Sequence, residues 1–124
     1  RMVEYGSYGE DGFKQLVNSA KFCFLINGTE SQGIAVQEIM SMGVPIIAWD
    51  VKEWLDQGEA YRVSATSIPF WDERCGEKFF TVDEIGETFD NFYARINDYN
   101  PKDYVKENLS FKSSVKTLLD ICHE

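Results

Sequence analysis

The chain has 124 residues, 44% hydrophobic and 15% aromatic, enough apolar material for one folded globular domain and too much for a disordered polymer. Its formal net charge of -9 argues against unspecific nucleic-acid binding and against attraction to anionic membranes, since both would repel it. No apolar run approaches the roughly 20 residues of a membrane span and no signal-peptide pattern opens the chain, so no transmembrane segment and a cytoplasmic location are expected.

Met2-Val3-Glu4-Tyr5 reads as a short strand ended by Gly6 and Gly9. From Asp11 to Ala20, Phe13, Leu16, Val17 and Ala20 recur at helical spacing and predict a helix. Phe22-Cys-Phe-Leu-Ile26 is an apolar strand leading into a polar loop with Gly28 and Gly33. A helix is expected from about Ser31 to Met42 and a second apolar strand from Val44 to Ala48, with Gly43 and Pro45 marking the helix end. The order strand, helix, strand, helix, strand predicts an α/β fold, a three-layer Rossmann-like parallel sheet flanked by helices. Beyond Asp50, Lys52 to Gln57 suits a helical turn stopped by Gly58, and Val63 to Ile68 a short strand closed by Pro69. Phe70 to Glu77 reads as a loop, and Lys78 to Phe80 as extended. Thr81-Val-Asp-Glu84 fits a capping box for a helix bearing Ile85, Phe89, Phe92, Tyr93 and Ile96. Asn100-Pro101 starts another helix, and Ser110 caps a last one with Phe111, Val115, Leu118 and Leu119.

The segment with most chemical content runs from Glu30 to Ile47. In an open parallel sheet, ligands sit outside the carboxyl ends of strands, where strand-to-helix turns present backbone N–H groups. Glu30 and Glu38 bracket such a turn, a little over two helical turns apart (about 800° at roughly 100° per residue), so both are expected to line one cleft at different depths. Carboxylates there accept hydrogen bonds from hydroxyl groups of a ribose or a sugar ring. Gly33, lacking a Cβ, lets backbone approach a ligand closely. Ser31 suits either an N-cap or a ligand contact, and Asp50 either a turn or the ligand's edge. Asp72, Glu73 and Arg74 read as a surface loop with a local ion pair. Cys23, Cys75 and Cys122 are odd in number with no CxxC pairing, and are expected to be reduced. The one histidine, His123, leaves no basis for a catalytic triad or a zinc site, so no metal is expected.

The string from Gly28 to Asp50 resembles the donor-binding motif of family-4-like retaining glycosyltransferases (glycosyl transferases group 1), enzymes of two-domain GT-B architecture. Their C-terminal domain carries two glutamates separated by seven residues, then a helix ending in a small-residue-Gly-x-Pro strand start. Glu30 and Glu38 match the first feature and Met42-Gly43-Val44-Pro45 the second. Glu107-Asn-Leu-Ser110 is similar to the family's tail. The resemblance implies that residues 1–124 are the later part of a GT-B donor-binding domain, binding a nucleotide-diphosphate sugar without a metal or other cofactor. It implies that Glu38 takes the ribose hydroxyls and that Glu30, the catalytic-site residue, contacts the transferred sugar. Ser31 and the backbone amides around Gly33, Ile34 and Ala35 would face the sugar and diphosphate, with transfer retaining anomeric configuration. The family's basic pair for the diphosphate precedes anything present here, and its acceptor-binding N-terminal domain is missing, so the chain alone is expected to be inactive.

Two other functions fit the alternation of strands and helices. A non-catalytic interaction module would use exposed aromatics such as Trp54, Phe70 and Trp71 as a partner surface. A phosphate-accepting receiver domain needs clustered aspartates at its first strand's end, where this chain has Gly6-Ser7-Tyr8-Gly9.

Overall fold

The computed structural model of the protein describes residues 2–4, 6–56 and 61–123. Its elements are α1 (Glu10–Ser19), β1 (Cys23–Ile26), α2 (Ile34–Ser41), β2 (Ile46–Trp49), β3 (Glu53–Asp56), β4 (Tyr61–Ser64) and β5 (Gly76–Phe79). A 3-10 turn (Val82–Glu84), α3 (Ile85–Ala94), α4 (Pro101–Asn108) and α5 (Phe111–His123) complete it. Strands β1, β2 and β5 form a parallel sheet in that order, and β3 and β4 form a separate antiparallel hairpin. The architecture is α/β, with helices on both faces of a small parallel sheet.

The central strand explains why the sheet is covered on both sides. Ile46, Ile47 and Ala48 are fully buried, the continuous apolar run that a central parallel strand requires. Alternation along β2 sends Ile46 and Ala48 into one cluster with Phe13 and Val17 of α1, Val36, Ile39 and Met40 of α2, and Tyr104 of α4. Ile47 faces the other cluster with Phe79 and with Phe92 of α3, where Phe22 packs edge-on to both Phe89 and Phe92. Each such side chain buried contributes roughly 1.5–3 kcal/mol of transfer free energy. Gly76 allows β5 to join at all: at φ 139 it lies opposite Ile46, and a Cβ there would stand 1.8 Å from the Ile46 carbonyl oxygen.

Several expectations are corrected. Residues 2–4 form no strand, and Tyr5 lies outside the described residues. The helical turn expected at Lys52 to Gln57 is instead strand β3, while Gln57 and Gly58 lie outside the described residues. The cause is cross-strand pairing, which sequence spacing alone does not reveal: Trp54 stands opposite Val63, and Arg62 ion-pairs with Glu53 at 3.5 Å. The strand expected at Val63 to Ile68 ends at Ser64, because Thr66 and Ser67 turn back toward β2. Helix α2 begins three residues after Ser31, because Gly33 adopts left-handed φ 64 and ψ 47 and becomes its N-cap. At the next helical unit the capping residues act as expected: the Glu84 carboxylate accepts the Thr81 N–H at 3.1 Å and the Phe80 N–H at 2.7 Å. That box opens the 3-10 turn, and α3 buries Phe92 while leaving Tyr93 exposed. Among the described residues no helix is long and apolar enough to cross a membrane.

Candidate functional site

The turn from β1 to α2 is folded around the Glu30 carboxylate. Its Oε1 accepts the N–H of Ser31 at 2.9 Å and of Gln32 at 3.2 Å. The amides of Gln32, Ser31 and Gly33, with the Asn27 side chain, hold the carboxyl below its ordinary range. Two successive amides thus hydrogen-bond one negative group, an arrangement like that of an anion-accepting nest. Asn27 Oδ1 accepts the Gly28 N–H at 2.9 Å, and the Gln37 side chain returns from α2 to donate to the Gln32 carbonyl at 2.6 Å. A Cβ on Gly33 would lie 3.2 Å from Glu30 Cγ and 3.9 Å from Pro69 Cδ, so this glycine permits the tight turn.

The other expected site residues separate around this turn. Ser31 is exposed and does not cap α2. Ile34 is exposed, Ala35 packs against the aliphatic cluster, and Glu38 is exposed in the second turn of α2. The ammonium of Lys14 in α1 is raised in pKa first by its bond to Glu10 and least by the charge of Glu38. Two open recesses lie at the carboxyl end of the sheet. One, of about 510 Å³, is lined by Ile26, Asn27, Gly28, Trp49 and Val51. The other, of about 410 Å³, lies between Asp50, Lys52, Thr66, Pro69, Trp71 and Lys78. Neither Glu30 nor Glu38 lines either of these two recesses. Glu30 bonds within its own turn, and Glu38 follows the left-handed Gly33 in the second turn of α2.

The most extensively bonded polar group is Asp50, only 4% exposed at the end of β2. Its Oδ1 accepts from the N–H of Val51 and Ser67 at 2.9 and 2.7 Å, and from the hydroxyls of Thr66 and Ser67 at 2.7 and 3.1 Å. Its Oδ2 meets the Lys78 ammonium at 2.8 Å, which also lies 5.4 Å from the Trp71 ring centroid. Burial works against the charge on Asp50, but Lys78, Thr66, Ser67 and Val51 outweigh it and bring the pKa down to about 2. The sequence reading identifies Asp50 only as a turn former or ligand edge and misses Thr66, Ser67 and Lys78. Lys78 is 28 residues from Asp50, and only the parallel pairing of β2 with β5 joins them.

The Asp72–Arg74 ion pair forms as expected, with Arg74 Nη2 2.8 Å from Asp72 Oδ2, and extends to Glu107 of α4 at 2.7 Å. It ties the loop to α4. Of the three aromatics considered for a partner surface, Trp54 is exposed, whereas Phe70 and Trp71 pack on the aliphatic cluster. Burial pushes the thiols of Cys23 and Cys75 up to about 11, leaving both protonated and poor nucleophiles near neutral pH. Among the described residues no three His, Cys, Asp or Glu side chains gather as a metal site. No family model, curated protein or solved structure matches the chain.

Proposed function

We propose that the β1–α2 turn is part of the sugar-nucleotide donor site of a retaining glycosyltransferase of GT-B type, acting within a larger protein. The observation that carries this reading is the pair of amides, Ser31 and Gln32, turned toward one negative group beyond the carboxyl end of a parallel strand, just before a helix N-terminus. Such a place favours negative charge and hydrogen-bonding ligands. Here the Glu30 carboxylate shows what kind of group the two amides bind. In the proposed complex Glu30 keeps the turn closed and presents its carboxylate to the transferred sugar, and exposed Glu38 accepts ribose hydroxyls. The catalytic contribution would come from positioning and from stabilising the departing diphosphate.

Calorimetric titration of the chain with UDP-, GDP- and ADP-linked hexoses tests this. One of them is expected to bind, and Glu38→Ala to weaken that binding by about tenfold or more, as loss of a hydrogen bond to a charged acceptor does. A blank panel for the intact chain, or undiminished binding by the Glu38→Ala protein, would overturn it. A second reading, a protein-contact module, is favoured by α5, whose Phe111, Leu118, Leu119 and Ile121 are all exposed. It predicts self-association or partner binding that Leu118→Ser reduces and nucleotide sugars do not affect.

A further inference from the structure

We infer that Asp50 and Thr66 are positioning residues for the Glu30–Gly33 turn, reaching it through the backbone of the 64–69 segment. Thr66 stands at the junction. Its hydroxyl donates to Asp50 Oδ1 at 2.7 Å and accepts the Ile68 N–H at 3.1 Å. Its carbonyl accepts the Glu30 N–H at 3.0 Å. Two residues beyond buried Ser67, Pro69 stands beside Gly33, close enough that a Cβ on the glycine would touch it. The turn is therefore tied from outside at Glu30 by a hydrogen bond, and the same 64–69 segment passes beside Gly33.

What holds the holder is Asp50. Four of the bonds to its Oδ1 come from Val51, Thr66 and Ser67, and Lys78 closes Oδ2. The base of the β3–β4 hairpin is otherwise tied by the Ala65 N–H to the Lys52 carbonyl at 3.0 Å. A shift of Asp50 therefore moves the Thr66 carbonyl, and with it the only hydrogen bond that links the Glu30 backbone to another part of the described chain. The network makes the linkage stiff, because one carboxylate oxygen takes the hydrogen bonds from Val51, Thr66 and Ser67, so a change at any one of them disturbs the rest. The placement of the turn is independent of the donor reading, and only the consequence for ligand affinity rests on it.

Amide hydrogen exchange followed by NMR on the whole chain provides the test, with Thr66→Val, Thr66→Ser and Asp50→Asn compared with the natural protein. Valine keeps the shape of threonine and removes the hydroxyl; serine restores it. Thr66→Val is expected to speed exchange of the Glu30 amide by about tenfold while Ile47 and Ala48 in the central strand stay unchanged, as local opening without global unfolding requires. Thr66→Ser should return Glu30 to its original rate, and Asp50→Asn, where it folds, should behave like Thr66→Val. Glu30 exchange in Thr66→Val that stays within about twofold of the natural rate, or no rescue by Thr66→Ser, would overturn the positioning role. The hexose nucleotides of the preceding section separate the two readings. If none binds the natural chain yet Glu30 responds, positioning stands and the donor reading fails. If one binds and Thr66→Val alters neither exchange nor affinity, the positioning role is lost and the donor reading stands.

Discussion

Two regions of this sheet each contain a glycine and a carboxylate, and build different things from them: Gly76 opens β5 and Asp50 follows β2, whereas Glu30 and Gly33 share one turn after β1. In the β2–β5 region Gly76 admits the Ile46 carbonyl against its backbone, and Asp50 is buried under five donor contacts, one of them an ion pair. In the β1–α2 region the tightest neighbour of Gly33 is the flexible Glu30 side chain, and Glu30 bonds amides within its own turn near solvent. One pair fixes the sheet and the other shapes a surface that a ligand can reach. Chemistry alone does not separate them; burial and the length of chain they span do.

The strongest way to break the comparison is at the two glycines. Gly76→Ala places a Cβ 1.8 Å from a backbone oxygen in the strand ladder, where neither partner can retreat without parting β5 from β2. A loss of about 4 kcal/mol or more is expected, enough to leave a domain of ordinary stability largely unfolded in urea titration. Acid comes next. Asp50 titrates at about 2 in the folded chain against an ordinary 3.8, so it binds its proton later folded than unfolded. Its contribution is complete above about pH 4, declines as pH falls from there to about 2, and totals about 2 kcal/mol. Unfolding free energies measured across that range should show this slope, and Asp50→Asn should flatten it. Gly33→Ala is milder. The left-handed conformation costs an alanine about 1–2 kcal/mol, and Glu30 Cγ at 3.2 Å can give way. The expected result is a modest drop in stability with displaced amide resonances at Ser31 and Gln32.

How far the sequence could be read follows the same division. Local patterns told the truth about local structure: Phe13 and Val17 mark α1, Asn100 accepts the Asp103 N–H as the cap of α4, and Pro101 takes the first turn behind it. The turn around Glu30 was legible because all of its own hydrogen bonds but one, Glu30 N–H to the Thr66 carbonyl, lie within a few residues. The Asp50 network was not, since Thr66, Ser67 and Lys78 come to Asp50 from three separate parts of the chain. Strand β3 escaped for a related reason: Glu53-Trp-Leu-Asp56 has no marked preference of its own and becomes a strand by pairing with Tyr61–Ser64. What the spacing of Glu30 and Glu38 does not reveal is the left-handed Gly33 between them, which sets the helix start at Ile34 rather than at Ser31.

The smallest effect on stability separates the two regions most sharply. Glu38 is exposed, its side chain makes no hydrogen bond among the described residues, and its backbone carbonyl already serves Ser41 and Met42. Alanine there removes a carboxylate from solvent and slightly favours helix, so the unfolding free energy should change by no more than about 0.5 kcal/mol. The same substitution at Asp50 would strand Lys78 beside a void and destabilise by about 3–5 kcal/mol. An exposed acid that can be deleted without structural penalty has no folding reason to be there. If Glu38→Ala matches the natural chain in urea yet no longer binds a nucleotide sugar, the β1–α2 region is a ligand surface. If instead it unfolds as Asp50→Ala does, the two regions belong to one structural frame, and the contrast between them disappears.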